Sequence, residues 1–207
     1  MKRNGDLARI GRPRDPGKDH AVLVAARRLL REVGYQQTTI SAIARRSNVS
    51  APAIYRRWPT REALLEDAVH GPGAHRLPEA TDDLRADLAT WVRVFLSRSA
   101  SPAARAGVPG LLADIRTDAD RARLLSLQDP VRAAFTARIE LAADRGEIPG
   151  PVDAATLFEI LTGTTSIRGL TQGGAGADAF VAALAGALYV LAAHGDELAV
   201  EVKESES

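Results

Sequence analysis

The sequence predicts an all-α protein of about nine helices: an N-terminal three-helix helix-turn-helix unit, then a C-terminal domain of longer helices. Three observations lead there. Apolar residues recur at helical spacing almost throughout, and strand-like alternation is nearly absent. Three helix starts, each headed by Ser or Thr, crowd into residues 39–60. Charge is also divided. Residues 1–66 carry 14 Lys and Arg against 6 Asp and Glu, a net of +8, and the remainder carries 13 against 20, a net of −7. The overall +1 therefore conceals two opposed blocks, the pattern of a polyanion-binding module joined to a module of another kind.

Composition narrows the classes further. At 207 residues, 45% hydrophobic and 26% charged, the chain can bury a core and is not a disordered chain. With no cysteine, disulfides, thiolate metal sites and Cys nucleophiles are excluded. The basic start lacks the apolar core and cleavage site of a secretory signal, so a cytoplasmic address is expected. The longest apolar stretch, AFVAALAGALYVLAAH, stops short of the roughly 18–20 residues of a membrane span, so no membrane partner is expected.

Residues 1–17 read as a basic arm, with Lys2, Arg3, Arg9, Arg12 and Arg14 punctuated by Gly5, Gly11 and Pro13. Such arms follow a phosphate backbone or enter a minor groove, which makes Arg12 and Arg14 candidate contacts. The first helix is expected over 18–33, its stripe formed by Val22, Ala25, Ala26, Leu29, Leu30 and Val33, with Gly34 ending it. Thr39 should cap a short second helix through the amide of Ser41 or Ala42, and Asn48 tolerates the left-handed turn that ends it. Val49 is the apolar plug of that turn. Ser50 opens the third helix, with Pro52 in its first turn and the hydroxyl expected on the amide of Ala53; Trp58-Pro59 closes it. Thr60 caps the fourth. Residues 70–81, rich in Gly and Pro, are the best boundary candidate. Longer helices are expected over 82–99, 102–116, 119–146 (kinked or restarted at Asp129-Pro130), 152–170 and 177–194, with a disordered tail over 198–207. The units are thus 1–17, 18–70, 71–197 and 198–207.

Two short helices joined by a tight turn and braced by a longer one make a helix-turn-helix, whose second helix reads base edges in the major groove. The order here is Thr39 cap, Ile43-Ala44, Val49 plug, Ser50 cap, Tyr55 and Thr60 cap. Together with Ala25-Ala26, Leu29-Leu30, Gly34-Tyr35, Thr38-Thr39, Ile54-Tyr55, Trp58 and Arg61-Glu62-Ala63-Leu64, it resembles the DNA-binding region of tetracycline-repressor-type (TetR) transcriptional regulators. Asn48, Trp58 and Arg61 replace the family's usual Gly, Phe and Lys. The match covers about residues 18–70; the rest resembles the family in layout only, as a helical ligand-binding and dimerisation domain.

That resemblance implies phosphate contact for Thr39, Tyr55 and Arg61, aided by the helix amides behind Thr39 and Thr60. Base readers belong early in the third helix and on its outer face: Ala51, Pro52, Ala53, Arg56 and Arg57, with Ser50 a further DNA-binding candidate at its start. The two arginines are the long donors there, and which one reads a base is left open. Specificity calls for a homodimer on a near-palindromic operator, with half-sites about 34–36 Å apart or at a comparable spacing. Candidate interface stripes are Phe158, Leu161, Thr162 and Thr165 on one helix and Phe180, Leu184, Ala187 and Leu191 on the next, which in relatives form a four-helix bundle with the partner chain.

Family members usually hold an inducer among the middle helices. The candidate pocket residues are Trp91, Phe95, Leu111, Leu112, Phe135, Arg138 and Arg168, the two arginines suiting an acidic ligand. Trp91 and Phe95 lie four apart on one face, and such pairs more often form a core than a pocket. Binding would shift the population toward a dimer whose readers no longer match the operator, with the fourth helix as lever. No cofactor or metal is expected, since His20, His70, His75 and His194 show no ligand spacing. Nor is an enzyme, for no phosphate loop or catalytic grouping is present. The alternative is a dimeric small-molecule-binding or adaptor protein without specific DNA binding.

Overall fold

The computed structural model describes residues 16–70 and 77–204. Arg12 and Arg14, with most of the expected arm, lie outside the described residues. Ten helices make up the described part: α1 Pro16–Gln37, α2 Ile40–Ser47, α3 Ala51–Tyr55, α4 Arg61–His70, α5 Leu84–Ala100, α6 Pro102–Ala113, α7 Asp118–Ser126, α8 Asp129–Asp144, α9 Ala154–Gln172 and α10 Ala177–Glu204.

Local chemistry sets most of these boundaries. In α1, Gly34 stands at φ +76 and ψ 178, which breaks the regular helix where the sequence placed its end, although one further turn follows. A Cβ there would meet nothing within 4 Å, so the backbone conformation alone selects glycine. Asp83, Ser101 and Asp153 cap α5, α6 and α9 through the amides of Ala86, Ala104 and Ala155 with Thr156. A reciprocal Thr117–Asp120 capping box heads α7. The long helix expected over 119–146 restarts at Asp129-Pro130 as α8, which raises the count to ten among the described residues. Helix α10 runs past the expected end at 194, with a break at His194 (φ −127, ψ 16) beside Gly195. The expected disordered tail therefore begins inside this helix; its last three residues lie outside the described ones.

Two apolar cores result. The larger lies between α5, α8, α9 and α10 and includes Leu88, Trp91, Phe135, Phe158, Leu161 and Leu188. Its aromatic centre packs mainly edge to face: Trp91 on Phe135 at 5.3 Å and Phe95 on Phe158 at 5.8 Å between ring centroids. The second core gathers α1 to α4 around Leu30, Ile43, Ile54 and Leu64, and it also takes in Ala103, Ala104 and Leu111 of α6. The boundary expected near residue 71 therefore does not divide the cores, because α6 returns to complete the first one. Over Ala177–His194, 18 residues of mean hydropathy 1.6, α10 is long and apolar enough to cross a membrane by length and composition. The 16-residue apolar stretch reaches that length once Ala177 and Asp178 are included. Its inner side, with Val181, Leu184, Ala185 and Leu188, belongs to the larger core.

One polar group is sealed beside that core. Arg138 donates to Asp87 and, at 3.0 Å, to Glu147; Asp87 also accepts from the amide and hydroxyl of Thr81, and Glu147 from the amide of Leu84. Burial alone would raise the Asp87 carboxyl, but the Thr81 and Arg138 bonds outweigh it and hold the group below its ordinary value. A carboxyl so depressed contributes stability above its unfolded pKa of about 3.9 and loses it as pH falls through the lower folded value. Asp87→Asn leaves Glu147 as the carboxylate on Arg138 and removes the charge from the Thr81 and Arg138 bonds. It should cost about 1.5–3 kcal/mol at pH 7 in urea unfolding, with the gap from wild type narrowing below about pH 4.

Candidate nucleic-acid interface and its link to the C-terminal domain

The turn between α2 and α3 is built from its caps outward. Thr39 accepts from the amide of Ala42 at 3.2 Å and starts α2. Asn48, at φ 55, is the only described residue other than glycine with positive φ, and it ends α2 in the left-handed conformation. The amide of Val49 turns back to the carbonyl of Ala44 at 3.3 Å, and its side chain packs against the smaller core. Helix α3 is only five residues long. The Ser50 hydroxyl makes no cap bond, contrary to expectation. Pro52 has no amide to offer, and the amide of Ala53 goes to the Ser50 carbonyl at 2.9 Å instead. The hydroxyl is left on the surface beside exposed Pro52 and half-buried Ala51 and Ala53.

Past this turn the polar side chains divide into spent and unspent. Tyr55 is 50% exposed. Arg56 is exposed, and its side chain has no partner among the described residues. Arg57 pairs with Asp19 at 3.0 Å, which ties the end of α3 to the start of α1. Trp58 is buried and donates its indole N–H to Asp67 at 2.7 Å. Thr39 is exposed, while Thr38 beside it is fully buried and donates to the carbonyl of Gly34 at 2.7 Å.

Arg61 departs most from expectation. Rather than facing phosphate, its guanidinium donates to the carbonyls of Thr38, at 2.8 Å, and Tyr35, and it stacks 4.2 Å above the Tyr35 ring. It closes the loose backbone between α1 and α2, whose carbonyls have no helical partner. Tyr35 then leads out of the reader. Its hydroxyl donates to Asp114, at the C-terminal end of α6, at 2.5 Å, and its ring lies where a side chain at Gly110 would stand, 2.3 Å from the missing Cβ. Burial, then the bond to Asp114, push the phenol up to about 12, so it remains a donor at any ordinary pH. A second link joins α4 to α7, where Arg123 grips the buried Glu66 through Nε at 3.0 Å and Nη2 at 2.9 Å. Neither link was legible in the sequence. The carboxylates lie 79 and 57 residues from their partners, and no local spacing signals such pairs.

The candidate pocket residues do not converge on a cavity. Trp91, Phe95, Phe135 and Leu111 are buried, Arg138 is held by its carboxylates, and Leu112 is half exposed on α6. Arg168 donates to the carbonyl of Ala175 at 2.5 Å and lies over Phe180, bracing the α9–α10 corner. The expected dimer stripes also point mainly inward: Phe158, Leu161, Thr165 and Leu184 are buried, Thr162, Phe180 and Leu191 half-buried, and Ala187 alone of the eight is exposed. The outward face lies one helical step round. It carries Gly163, Thr164 and Ile167, the last 67% exposed, with Ala179, Ala183, Ala187 and Val190.

A capped helix-turn-helix presenting a basic, hydroxyl-bearing surface, carried on a separate helical bundle, defines a DNA-binding transcriptional regulator. Residues 22–68 match the sequence model of bacterial regulatory proteins of the tetR family, and residues 78–188 match that of the tetracyclin repressor-like C-terminal domain; the chain belongs to the TetR family. It is 27% identical over 176 residues to the HTH-type transcriptional regulator YdeS of Bacillus subtilis (strain 168), covering 83% of this chain and 87% of that protein. It is 28% identical over 172 residues to the DNA-binding transcriptional repressor TetR of Mycobacteroides abscessus, covering 79% and 87%. Among solved structures, Salmonella enterica GusR shares the fold at a TM-score of 0.63 and 23% identity, over 91% of this chain and 98% of that one. The regulator FadR of Bacillus subtilis, in complex with stearoyl-CoA, does so at 0.60 and 20%, over 85% and 98%.

The Tyr35–Gly110 contact can be tested directly. Gly110→Ala must displace the ring, at a cost of about 1–3 kcal/mol in thermal or denaturant unfolding. The Tyr35 phenol, read by NMR titration, should fall from about 12 toward its ordinary value near 10.

Proposed function

We propose that the chain is a dimeric repressor that reads a near-palindromic operator through the Ser50–Arg56 surface and leaves it when a small molecule binds the C-terminal domain. The observation that carries this reading is the division of the reader's side chains. Arg57, Arg61 and Trp58 are consumed within the fold, whereas Ser50, Tyr55 and Arg56 are turned to solvent with their polar groups unengaged among the described residues. Arg56 is accordingly the base reader, its fork suited to the O6 and N7 of guanine. Thr39, Ser50 and Tyr55 hold phosphate oxygens, and Arg57 positions α3 from behind.

The outward face of α9 and α10 is the dimer surface. Its small residues allow two helix pairs to approach closely, and exposed Ile167 and Val190 supply apolar area. Release works through α4. That helix is fastened to α7 by Glu66–Arg123, and the reader is fastened to α6 by Tyr35–Asp114, so a ligand that shifts α6 and α7 rotates the reader. A coupling of about 1–3 kcal/mol changes operator affinity roughly 5- to 150-fold.

Two measurements check this reading. With operators selected from a random DNA pool, Arg56→Ala should relax preference at one base pair per half-site, losing about 1–3 kcal/mol there, while Tyr55→Phe weakens all sequences alike. Uniform loss from Arg56→Ala would remove its assignment as reader. Ile167→Glu should convert the dimer to a monomer in analytical ultracentrifugation, with the helical spectrum intact and specific operator binding lost. A dimer that survives it would move the interface elsewhere.

A further inference from the structure

Where α1, the C-terminal end of α4 and the corner between α5 and α6 meet, a cavity of about 420 Å3 is lined by Arg27, Arg28, Arg31 and Arg98. That volume lies within the range of small-ligand sites. No Asp or Glu is among its described lining residues, and its floor is apolar, formed by Val24, Val69 and Ala103. Arg27 is fixed by donating Nε to the carbonyl of Ala68 at 2.6 Å, and Arg98 lies over the Phe95 ring at 5.5 Å. Burial holds both guanidinium groups below their ordinary range. Arg28 and Arg31, one turn apart on α1, are exposed at the rim. The twelve-residue helix α6 also begins here, with Ser101 capping it and Ala103 in the wall, so its positive end adds to the same field.

Like charges gathered around one space repel each other, and an anion in that space reverses the sign of the interaction. Guanidinium forks match phosphoryl oxygens in pairs, and the apolar floor suits the remainder of a small organic molecule. We propose that this cavity binds a small phosphorylated metabolite, which bridges α1 and α4 of the reader to α5 and α6 of the C-terminal domain. DNA is not its occupant: Thr39, Tyr55 and Arg56 take no part in its lining, and Val69 stands nine residues along α4 from Thr60, about 13 Å at the helical rise. That such binding alters repression rests on the operator-binding reading above. The binding itself does not.

The test uses the full chain without DNA and inorganic pyrophosphate as probe, by isothermal titration at fixed ionic strength. Saturable binding is expected. Arg28→Gln with Arg31→Gln should weaken it at least about tenfold. Arg45→Gln with Arg46→Gln, which removes the same charge from exposed α2, should change it less than about twofold. Absence of saturable binding, equal loss from both pairs, or unchanged binding after the α1 pair would overturn the site. If the Gln pair melts early, Arg28→Lys with Arg31→Lys decides, because it keeps the charge and removes only the paired donors: weaker binding supports the site and unchanged binding overturns it. Operator affinity is then measured by fluorescence anisotropy with and without saturating pyrophosphate. A shift of several-fold supports regulation through the cavity, and none overturns that part alone.

Discussion

The packing of the Tyr35 ring against the bare backbone of Gly110 sets how the reader sits on the rest of the molecule. Everything nearby is arranged to keep the ring flat. Arg61 covers its other face, Asp114 holds its hydroxyl, and Gly34 supplies the backbone conformation that turns the chain toward it. Gly107, one turn earlier on α6, admits Leu30 and Val69 in the same way. Helices α1 and α4 approach α6 closely because Gly107 and Gly110 present no side chain at the contact. A helix with two interior glycines gives up propensity of about 1 kcal/mol each, and the close contact between the two halves of the protein is what that loss sustains.

Arginine is the residue through which this chain does most of its polar work, and the individual side chains do different things. Arg138 lies in a sealed carboxylate group, Arg123 clamps one helix to another, and Arg61 and Arg57 repair or anchor backbone within the reader. Arg56 is exposed, and four others line a cavity with no Asp or Glu among its described lining residues. Net charge over residues 1–66 therefore overstates what is available to nucleic acid.

Much of this was legible without coordinates, and the reasons differ by feature. Caps at Thr39 and Thr60, the left-handed Asn48 and the buried stripe of α1 from Val22 to Leu30 are local, set by residues three or four apart, although Val33, expected in that stripe, is exposed. Which side of α9 and α10 faces outward was not legible because both helices are apolar on more than one side. Periodicity located a stripe at Phe158, Leu161 and Leu184 but could not tell a buried face from an exposed one, and the bulkier residues went inside. Ser50 and Arg61 differed for a shared cause. Each was assigned by its residue type at a motif position, while the outcome was decided by the local backbone: the amide of Ala53 goes to the Ser50 carbonyl and leaves the hydroxyl unused, and the carbonyls of the α1–α2 turn take up Arg61.

The return of α6 to the first core has a consequence for how this protein can be divided. Ala103, Ala104 and Leu111 complete the wall against which Leu30 and Leu65 pack, so the unit that closes the reader's core is discontinuous in sequence, made of residues 16–70 plus 102–113. A hybrid regulator joined at the Gly- and Pro-rich connector would carry the whole helix-turn-helix and still leave an apolar flank open to solvent. Modularity here follows the packing: the portable recognition element has two pieces, and its second piece lies inside what reads as the effector domain.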